Sequence, residues 1–273
     1  MKLVGITTYS ADGKISVNKA YTDAFSRADI CPIGIPVFPL ETKEYMVESK
    51  ENTSRAEELA NKLDALVISG GSDINPIIFD EINDSSYGCN IARDIFEMAL
   101  IKAFEEKGKP IMGICRGFQL MGIYYGAPYF CQDVGLKENH NGTRKELASR
   151  NEPAHTVYIS GAFQKYMIEK EAVESPKTEG GLSALPVNSW HHQGFLLAHD
   201  VDKLKKEQVF ETLGMYRKIG FRVFARTSIL IEGFENEKNA FAVQWHPEEY
   251  GSKGLTIQYF IDKYINRTED DKN

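Results

Sequence analysis

The chain has few cysteines, and their spacing excludes the usual structural uses of this residue. Among 273 residues there are four, with no Cys-x-x-Cys pair: Cys31, Cys89, Cys115 and Cys131. Wide spacing of this kind predicts free thiols and disfavours both a disulfide framework and a zinc site. From the sequence we therefore expect neither a metal ion nor another cofactor.

Long apolar runs and an excess of positive charge are also missing. No run approaches the roughly 18 apolar residues that span a bilayer. The start of the chain, Met1 to Ile6, has a strand-like pattern without the apolar core of a signal peptide. The formal net charge of −7 disfavours a nucleic-acid-binding surface. We expect a cytoplasmic protein that contacts neither membranes nor nucleic acids.

Short apolar runs alternate with amphipathic segments along the first half of the chain. Strands are predicted at Leu3–Thr7, Ile35–Leu40, Ala65–Ser69 and Pro110–Ile114, and the longest helix at Asn90–Glu106. Repeated β-α units of this length predict an α/β fold built on a doubly wound, mostly parallel sheet. Ligands of such sheets bind at the carboxyl ends of the strands.

The second half is less regular. Val223–Ile231 and Ala240–Gln244 are predicted to be strands, and the segment 195–221 combines helix and loop patterns. Neither an internal repeat nor a linker composition divides the chain. We therefore expect one domain over residues 1–266, followed by a polar tail at 267–273.

Cys115 is the most informative residue of the chain. An apolar strand ends on it, and a helical pattern begins directly after it. Such a turn points the unpaired N–H groups of the helix N-terminus at the thiol, which then loses its proton more easily and becomes a nucleophile. Gly113 and Gly117 flank it as in the Gly-x-nucleophile-x-Gly elbow. The alternative is a buried thiol that only fills space after a core strand.

A cysteine nucleophile needs a base, and His246 is the best candidate among six histidines. It follows a strand, Pro247 stiffens the turn, and Glu248 lies close enough to orient the imidazole. Gly70 and Gly71 follow the strand at Ala65–Ser69. Since both loops end parallel strands, we expect Gly70 and Gly71 to face Cys115.

The remaining histidines carry weaker signals. His191 and His192 lie in a polar cluster, which is either part of the site or only a hydrogen-bonded loop. Three others have no supporting residues nearby and are assigned to the surface or the core: His140, His155 and His199.

Five segments occur in a characteristic order: Gly70–Pro76, Arg93-Asp94 with Glu97, Gly113–Gln119, Asn188–Gln193 and Val243–Glu248. Together they resemble the class I glutamine amidotransferase superfamily, and specifically its free-standing γ-glutamyl hydrolases, which include γ-glutamyl-γ-aminobutyrate hydrolase. The resemblance implies the flavodoxin-like fold of that superfamily with a small extra β element.

The resemblance also implies a chemistry. A cysteine hydrolase of this kind cleaves the γ-glutamyl amide bond of a small compound through a γ-glutamyl thioester and releases glutamate and an amine. The implied catalytic triad is Cys115, His246 and Glu248. The backbone N–H groups of Gly71 and Arg116 match the oxyanion hole. Five further residues match positions that line the γ-glutamyl pocket: Gln119, Asn188, Ser189, His191 and Gln193.

The sequence leaves the roles of some residues open. Asp73 and Arg93-Asp94 match family positions, but an ion pair between Arg93 and a nearby carboxylate explains its presence as well. The segments Gly126–Tyr129 and Thr227–Glu232 depart from the usual family pattern, which leaves the identity of the released amine undetermined.

Three functions are compatible with these motifs. The first is the γ-glutamyl hydrolase, which acts on a small molecule; a homodimer is one option for its assembly, and the sequence does not decide the oligomeric state. The second is a glutaminase subunit that supplies ammonia to a separate synthase. The third is a scaffold of the same fold without turnover, which the intact set of Cys115, Gly71 and His246 disfavours.

Overall fold

The protein is built around one large mixed β-sheet. The computed structural model describes residues 1–11, 14–37, 50–134, 140, 147, 149–177 and 181–267. The strands are β1 Lys2–Thr7, β2 Tyr9–Ala11, β3 Lys14–Ser16, β4 Ile30–Ile35, β5 Ala65–Ile68, β6 Ile111–Ile114, β7 Phe130–Cys131, β8 His155–Ile159, β9 Ser183–Val187, β10 Gly194–Leu196, β11 Arg222–Arg226, β12 Leu230–Glu235 and β13 Ala240–Val243. All belong to the large sheet except β2 and β3, which pair with each other in a separate two-stranded sheet.

Seven α-helices accompany these strands in the described part of the chain, with short 3₁₀ helices between some of them. They are α1 Lys19–Phe25, α2 Lys50–Lys62, α3 Ile91–Glu106, α4 Arg116–Tyr125, α5 Gly161–Glu169, α6 Lys206–Lys218 and α7 Leu255–Phe260. The 3₁₀ helices are Pro76–Phe79, Val201–Lys203 and Pro247–Lys253, and a π-helical turn at Ile261–Ile265 extends α7. None of the helices in the described part of the chain has the length and apolarity needed to span a bilayer.

The sheet has a parallel half and an antiparallel half. Its strand order is β4-β1-β5-β6-β13-β12-β11-β8-β9, and β10 joins β12 to β7. The neighbouring strands β4, β1, β5, β6 and β13 run parallel to one another. The next strands in this order, β12, β11, β8 and β9, are antiparallel to their neighbours. The predicted α/β class with a mostly parallel central sheet is confirmed. The antiparallel half is the extra β element.

Two apolar cores cover the two faces of the sheet. In β5, Ala65 and Val67 belong to one core, and Leu66 and Ile68 belong to the other. This alternation follows from the strand period of two residues. All four side chains are buried, as expected for a central parallel strand with helices on both sides.

Two predicted strands have different bounds in the structure. The strand predicted at Ile35–Leu40 was placed too late, since β4 ends at Ile35 and pairs with all six residues of β1. Pro32 is tolerated there because β4 lies at the edge of the sheet. Residues 38–40 lie outside the described part.

The strand predicted at Val223–Ile231 is in fact a hairpin of β11 and β12. The Thr227 hydroxyl accepts hydrogen bonds from the N–H groups of Ile229 and Leu230, at 3.2 and 3.0 Å. Side-chain bonding of this kind offers the backbone a turn in place of a continuous strand. The extent of the domain, 1–266, stays a prediction, and residues 268–273 of the tail lie outside the described part.

Candidate active site

Cys115 stands at the turn between β6 and α4, in a backbone conformation that few residues other than glycine adopt. Its φ is 53° and its ψ is −109°, and it forms the N-cap of α4. Non-glycine residues with positive φ are uncommon, and such strain concentrates at functional sites. The side chain is 5% exposed. The predicted elbow is confirmed.

The two flanking glycines make this turn possible. A Cβ at Gly117 would lie 2.0 Å from the carbonyl oxygen of Ile68 in β5. A Cβ at Gly113 would lie 2.7 Å from the carbonyl oxygen of Gly117. Both contacts involve backbone atoms that cannot move aside, so only glycine lets α4 approach the sheet this closely.

His246 lies beside Cys115 because β13 runs parallel to β6. The Cys115 N–H donates a hydrogen bond to the Val243 carbonyl at the end of β13, at 2.9 Å. Three residues later the His246 Nδ1–H donates to Glu248 Oε1 at 2.6 Å. Asn188 holds the backbone of His246 from the other side, since its side chain exchanges two 2.9 Å hydrogen bonds with the His246 N–H and carbonyl groups.

The electrostatic surroundings keep the His246 ring protonated. Burial lowers the pKa of this imidazole, but the Glu248 carboxylate and the hydrogen-bonded Cys115 side chain outweigh burial and raise the pKa to about 10. His246 is 6% exposed and Glu248 is 1% exposed. A buried imidazole between a carboxylate and a thiol can therefore hold a proton taken from that thiol.

The Gly70-Gly71 loop faces the same point, as predicted. A Cβ at Gly70 would lie 3.0 Å from His246 Cε1 and 3.6 Å from Cys115 Cβ. A Cβ at Gly71 would lie 3.5 Å from Arg116 Cδ, at the first residue of α4. The first N–H groups of a helix have no intrahelical acceptor. The loop after β5 and the N-terminus of α4 thus meet around the thiol.

Tyr21 of α1 is a member of the site that no sequence motif signals. Its hydroxyl accepts a hydrogen bond from the Gly70 N–H at 2.8 Å. Burial, and next the Glu248 carboxylate, raise the pKa of Tyr21 well above its usual range. The neutral hydroxyl therefore connects the glycine loop with the carboxylate that orients His246.

A buried ionic network lies behind the loop and explains the Arg93-Asp94 motif. Arg93 Nε donates to Glu97 Oε1 at 2.8 Å, which is the ion pair considered above. Arg93 also donates to the carbonyl oxygens of Ser69 and Gly70, both at 3.1 Å. Its guanidinium group therefore positions the loop that faces Cys115.

Arg116 completes the same network from the start of α4. Its guanidinium group forms short ion pairs with Asp94 and Glu97. Burial alone would raise the pKa of Glu97, but the Arg116 and Arg93 guanidinium groups outweigh burial and lower this pKa. The network ties α3, the loop after β5 and the Cys115 turn together.

The residues predicted to line the substrate pocket are all buried, and each of them is hydrogen-bonded within the fold. Gln119 Nε2 donates to the Gln193 carbonyl at 2.9 Å, and Gln193 Nε2 donates to Ser86 Oγ at 2.8 Å. The Ser189 hydroxyl donates to the His140 carbonyl. Asn188 supports His246 as described above. Gln119 lies on α4, and the other predicted pocket residues lie between β9 and β10.

The remaining histidines of the cluster differ in their surroundings. His192 Nε2 lies 2.9 Å from Asp73 Oδ2, and its ring stacks on Tyr87. Burial lowers the pKa of His191 to about 3, so this ring is neutral at pH 7. His191 faces Glu232 of β12. His140 is buried and His155 is half-buried, and both face the same carboxylate.

Comparison with known families agrees with this geometry. The sequence profile of the family described as Peptidase C26 matches residues 2–248. The chain belongs to the peptidase C26 family. It therefore lies within the class I glutamine amidotransferase-like superfamily, as the ordered motifs predicted.

The relatives of this C26 protein include a glutamine amidotransferase-like protein and a γ-glutamyl-γ-aminobutyrate hydrolase. It is 30% identical to the glutamine amidotransferase-like protein YvdE of Lactococcus lactis over 205 residues, which cover 72% of this chain and 71% of YvdE. It is 25% identical to the γ-glutamyl-γ-aminobutyrate hydrolase PuuD of Escherichia coli over 262 residues, which cover 90% of this chain and 85% of PuuD.

Solved structures share the fold of the C26 chain at low sequence identity. A GMP synthase component from Thermoplasma acidophilum has a TM-score of 0.54 at 17% identity, covering 100% of this chain and 98% of that one. The CTPS glutaminase domain of Trypanosoma brucei, with bound acivicin, has a TM-score of 0.52 at 15% identity, covering 97% and 95%. These likenesses concern the fold alone.

Proposed function

We propose that this C26 protein is a cysteine hydrolase that cleaves the γ-glutamyl amide bond of a small γ-glutamyl compound and releases glutamate and an amine. The observation that carries the proposal is the meeting of three elements: the Cys115 elbow, the His246–Glu248 pair and the Gly70-Gly71 loop. Membership of the family and the likeness to PuuD support a hydrolase that acts on γ-glutamyl C–N bonds.

In the first half of the reaction, the Cys115 sulfur attacks the δ-carbonyl carbon while the protonated His246 ring holds the proton that the thiol has given up. The carbonyl oxygen becomes an oxyanion, which the N–H groups of Gly71 and Arg116 stabilise by hydrogen bonds. The C–N bond then breaks, and His246 gives its proton to the leaving amine. The product is a γ-glutamyl thioester on Cys115 and a free amine.

In the second half, water replaces the amine. His246 accepts a proton from water as the oxygen attacks the thioester carbonyl, and the C–S bond breaks. The proton returns to the sulfur, and glutamate leaves. Glu248 orients the imidazole throughout, and its charge stabilises the protonated ring, in agreement with the raised pKa of His246.

The substrate pocket extends from α4 to the loop between β9 and β10 in this proposal. The buried amide groups of Gln119 and Gln193 lie next to the nucleophile helix. Polar side chains of this kind suit the amino and carboxyl groups of a glutamyl moiety, because both groups need hydrogen-bond partners when water is excluded. Selection of the amine would occur further out, where the chain departs from the family pattern.

The proposal is tested with the purified protein alone. Glutamine, γ-glutamyl-γ-aminobutyrate and γ-glutamyl conjugates of other small amines are incubated separately, and glutamate is measured. We expect strong release from at least one conjugate and weak release from glutamine. Cys115→Ala serves as the control, with folding checked by circular dichroism; undiminished release by this variant would refute the mechanism.

The same assay distinguishes the hydrolase from a glutaminase that supplies ammonia to a synthase. Such a glutaminase would act on glutamine and not on the conjugates, with low activity when isolated. Release from neither substrate class by a folded protein would favour the scaffold interpretation.

A further inference from the structure

Three imidazole rings surround one buried carboxylate on the antiparallel side of the sheet. Glu232 Oε1 lies 3.5 Å from His140 Nδ1, 3.6 Å from His155 Nε2 and 3.7 Å from His191 Nε2. The Glu232 side chain is fully buried, and the exposed fractions of the three imidazoles do not exceed 9%. We call these four residues the Glu232 cluster.

Direct hydrogen bonds do not account for the Glu232 cluster. Distances of 3.5–3.7 Å are longer than an N–H···O hydrogen bond, which measures about 2.7–3.2 Å. Within the described ranges, neither oxygen of Glu232 has a hydrogen-bond donor, and His191 Nε2 has no hydrogen-bond partner. A buried carboxylate that faces three imidazole rings at these distances leaves space for a positive ion between the four side chains.

The spacing fits ligands around a metal ion. In a tetrahedral zinc site with bonds of about 2.0–2.1 Å, the ligand atoms lie about 3.3–3.4 Å apart. Potential ligand atoms of His140, His191 and Glu232 all lie within 4.8 Å of one another. We propose that His140, His191 and Glu232 bind one divalent transition-metal ion, that zinc fits these donors best, and that His155, whose Nε2 lies 3.6 Å from Glu232 Oε1, joins them as the fourth ligand when the ion is bound.

The surroundings orient the rings as metal ligands. His191 Nδ1 lies 2.8 Å from the Gln193 carbonyl, so its N–H donates there and the lone pair of Nε2 points towards Glu232. Metal-binding histidines typically donate their other ring N–H to a carbonyl or carboxylate in this way. The His140 carbonyl accepts hydrogen bonds from the Ser189 hydroxyl and the His191 backbone N–H, which fixes its backbone beside the other ligands.

The site would be structural. Four protein ligands close the coordination sphere, whereas catalytic zinc keeps a position open for water or substrate. The ion would join residue 140, the start of β8, the segment 188–193 and β12. Gln244 N–H donates to the Glu232 carbonyl at 2.9 Å, and Asn188 holds the backbone of His246. The metal would therefore stabilise the segments that position the catalytic histidine, whatever reaction that histidine serves.

Metal analysis of the purified protein tests this proposal without any activity assay. Elemental analysis is expected to find one zinc ion per chain. After removal by a chelator, added Zn²⁺ should raise the melting temperature, and added Co²⁺ should give the visible absorption of a tetrahedral site. Glu232→Gln and His155→Ala should each lose the metal. His199→Ala, at a histidine outside the cluster, should keep it.

Two results would overturn the proposal. The first is a folded wild-type protein that contains no metal and responds to neither Zn²⁺ nor Co²⁺, which would mean that the cluster only shares protons among its imidazoles. The second is retention of one zinc per chain by both ligand variants. Because the measurements on the wild-type protein stand alone, the proposal stays testable even if a ligand variant does not fold.

Discussion

Substitution of Gly117 by alanine probes the packing that creates the nucleophile turn. The added Cβ would lie 2.0 Å from the Ile68 carbonyl oxygen, whereas ordinary contacts of a Cβ measure 3.4–4 Å. Since this carbonyl belongs to the last residue of a buried central strand, neither partner can rotate away. The start of α4 must therefore move away from β5 by roughly 1 Å, and Cys115 moves with it.

The loss of stability and the loss of activity in Gly117→Ala can both be estimated. Overpacking of a well-packed core costs about 1–3 kcal/mol, and a clash between backbone and Cβ belongs at the upper end, so we expect a loss of about 3 kcal/mol. A displacement of about 1 Å at a reacting group can lower the rate about a hundredfold. The free energy of unfolding in urea measures the first effect, and glutamate release from the best substrate measures the second.

The matched control is Gly214→Ala in α6. Nothing lies within 4 Å of a Cβ at Gly214, and its φ is not in the left-handed region. Alanine is favoured over glycine in a helix interior by about 0.5–1 kcal/mol, so the same substitution should stabilise the protein here. Equal stability and full activity of the Gly117 variant would refute the account of the turn.

Three further predictions concern charge. Glu248→Gln should leave a folded enzyme whose rate falls about 10²- to 10⁴-fold, because the ring loses its orienting carboxylate. The raised pKa of His246 stabilises the fold fully below pH 6.5, and this stabilisation is lost as the pH rises through about 10. The free energy of unfolding in urea, measured at several pH values, should show this loss. The same free energy should depend much less on pH in His246→Gln. Glu97→Gln should cost about 3–5 kcal/mol in urea unfolding, since it removes the carboxylate that pairs with the buried Arg93 guanidinium and leaves Arg116 with Asp94 alone.

Each of these three predictions has an outcome that would contradict it. A fully active Glu248→Gln variant would remove that residue from the mechanism. Identical pH dependence of the wild-type and His246→Gln proteins would contradict the raised pKa. For Glu97, the comparison is Lys62→Gln, which breaks the exposed pair with Glu58 and should barely change stability; equal effects of the two variants would contradict the importance of burial.

Local rules were enough to predict the centre of the site. A strand that ends on Cys115 between two glycines specifies an elbow, because the spacing of glycines and the start of a helix are properties of a few neighbouring residues. The same holds for the turn that carries His246 and Glu248. Their meeting with the Gly70-Gly71 loop followed from the rule that parallel strands bring their carboxyl ends to one edge.

Other features depend on side chains that only the folded chain brings together. Tyr21 reaches Gly70 across 49 residues, and no pattern around it differs from an ordinary helix. Val223–Ile231 has the composition of one strand, but the Thr227 hydroxyl binds the following N–H groups and turns the chain. A short-range competition of this kind is invisible to hydrophobic periodicity.

The Glu232 cluster shows most clearly the difference between what the sequence predicts and what only the tertiary structure decides. The chain alone predicted the fold class, the elbow at Cys115, the turn at His246 and the glycine loop that faces them, because each depends on contiguous residues or on a general property of parallel sheets. It could not indicate that His140 and His155, each without a supporting motif, lie against the carboxylate that His191 also faces. Only the antiparallel half of the sheet decides that, since its strands and loops bring four distant segments to one buried point.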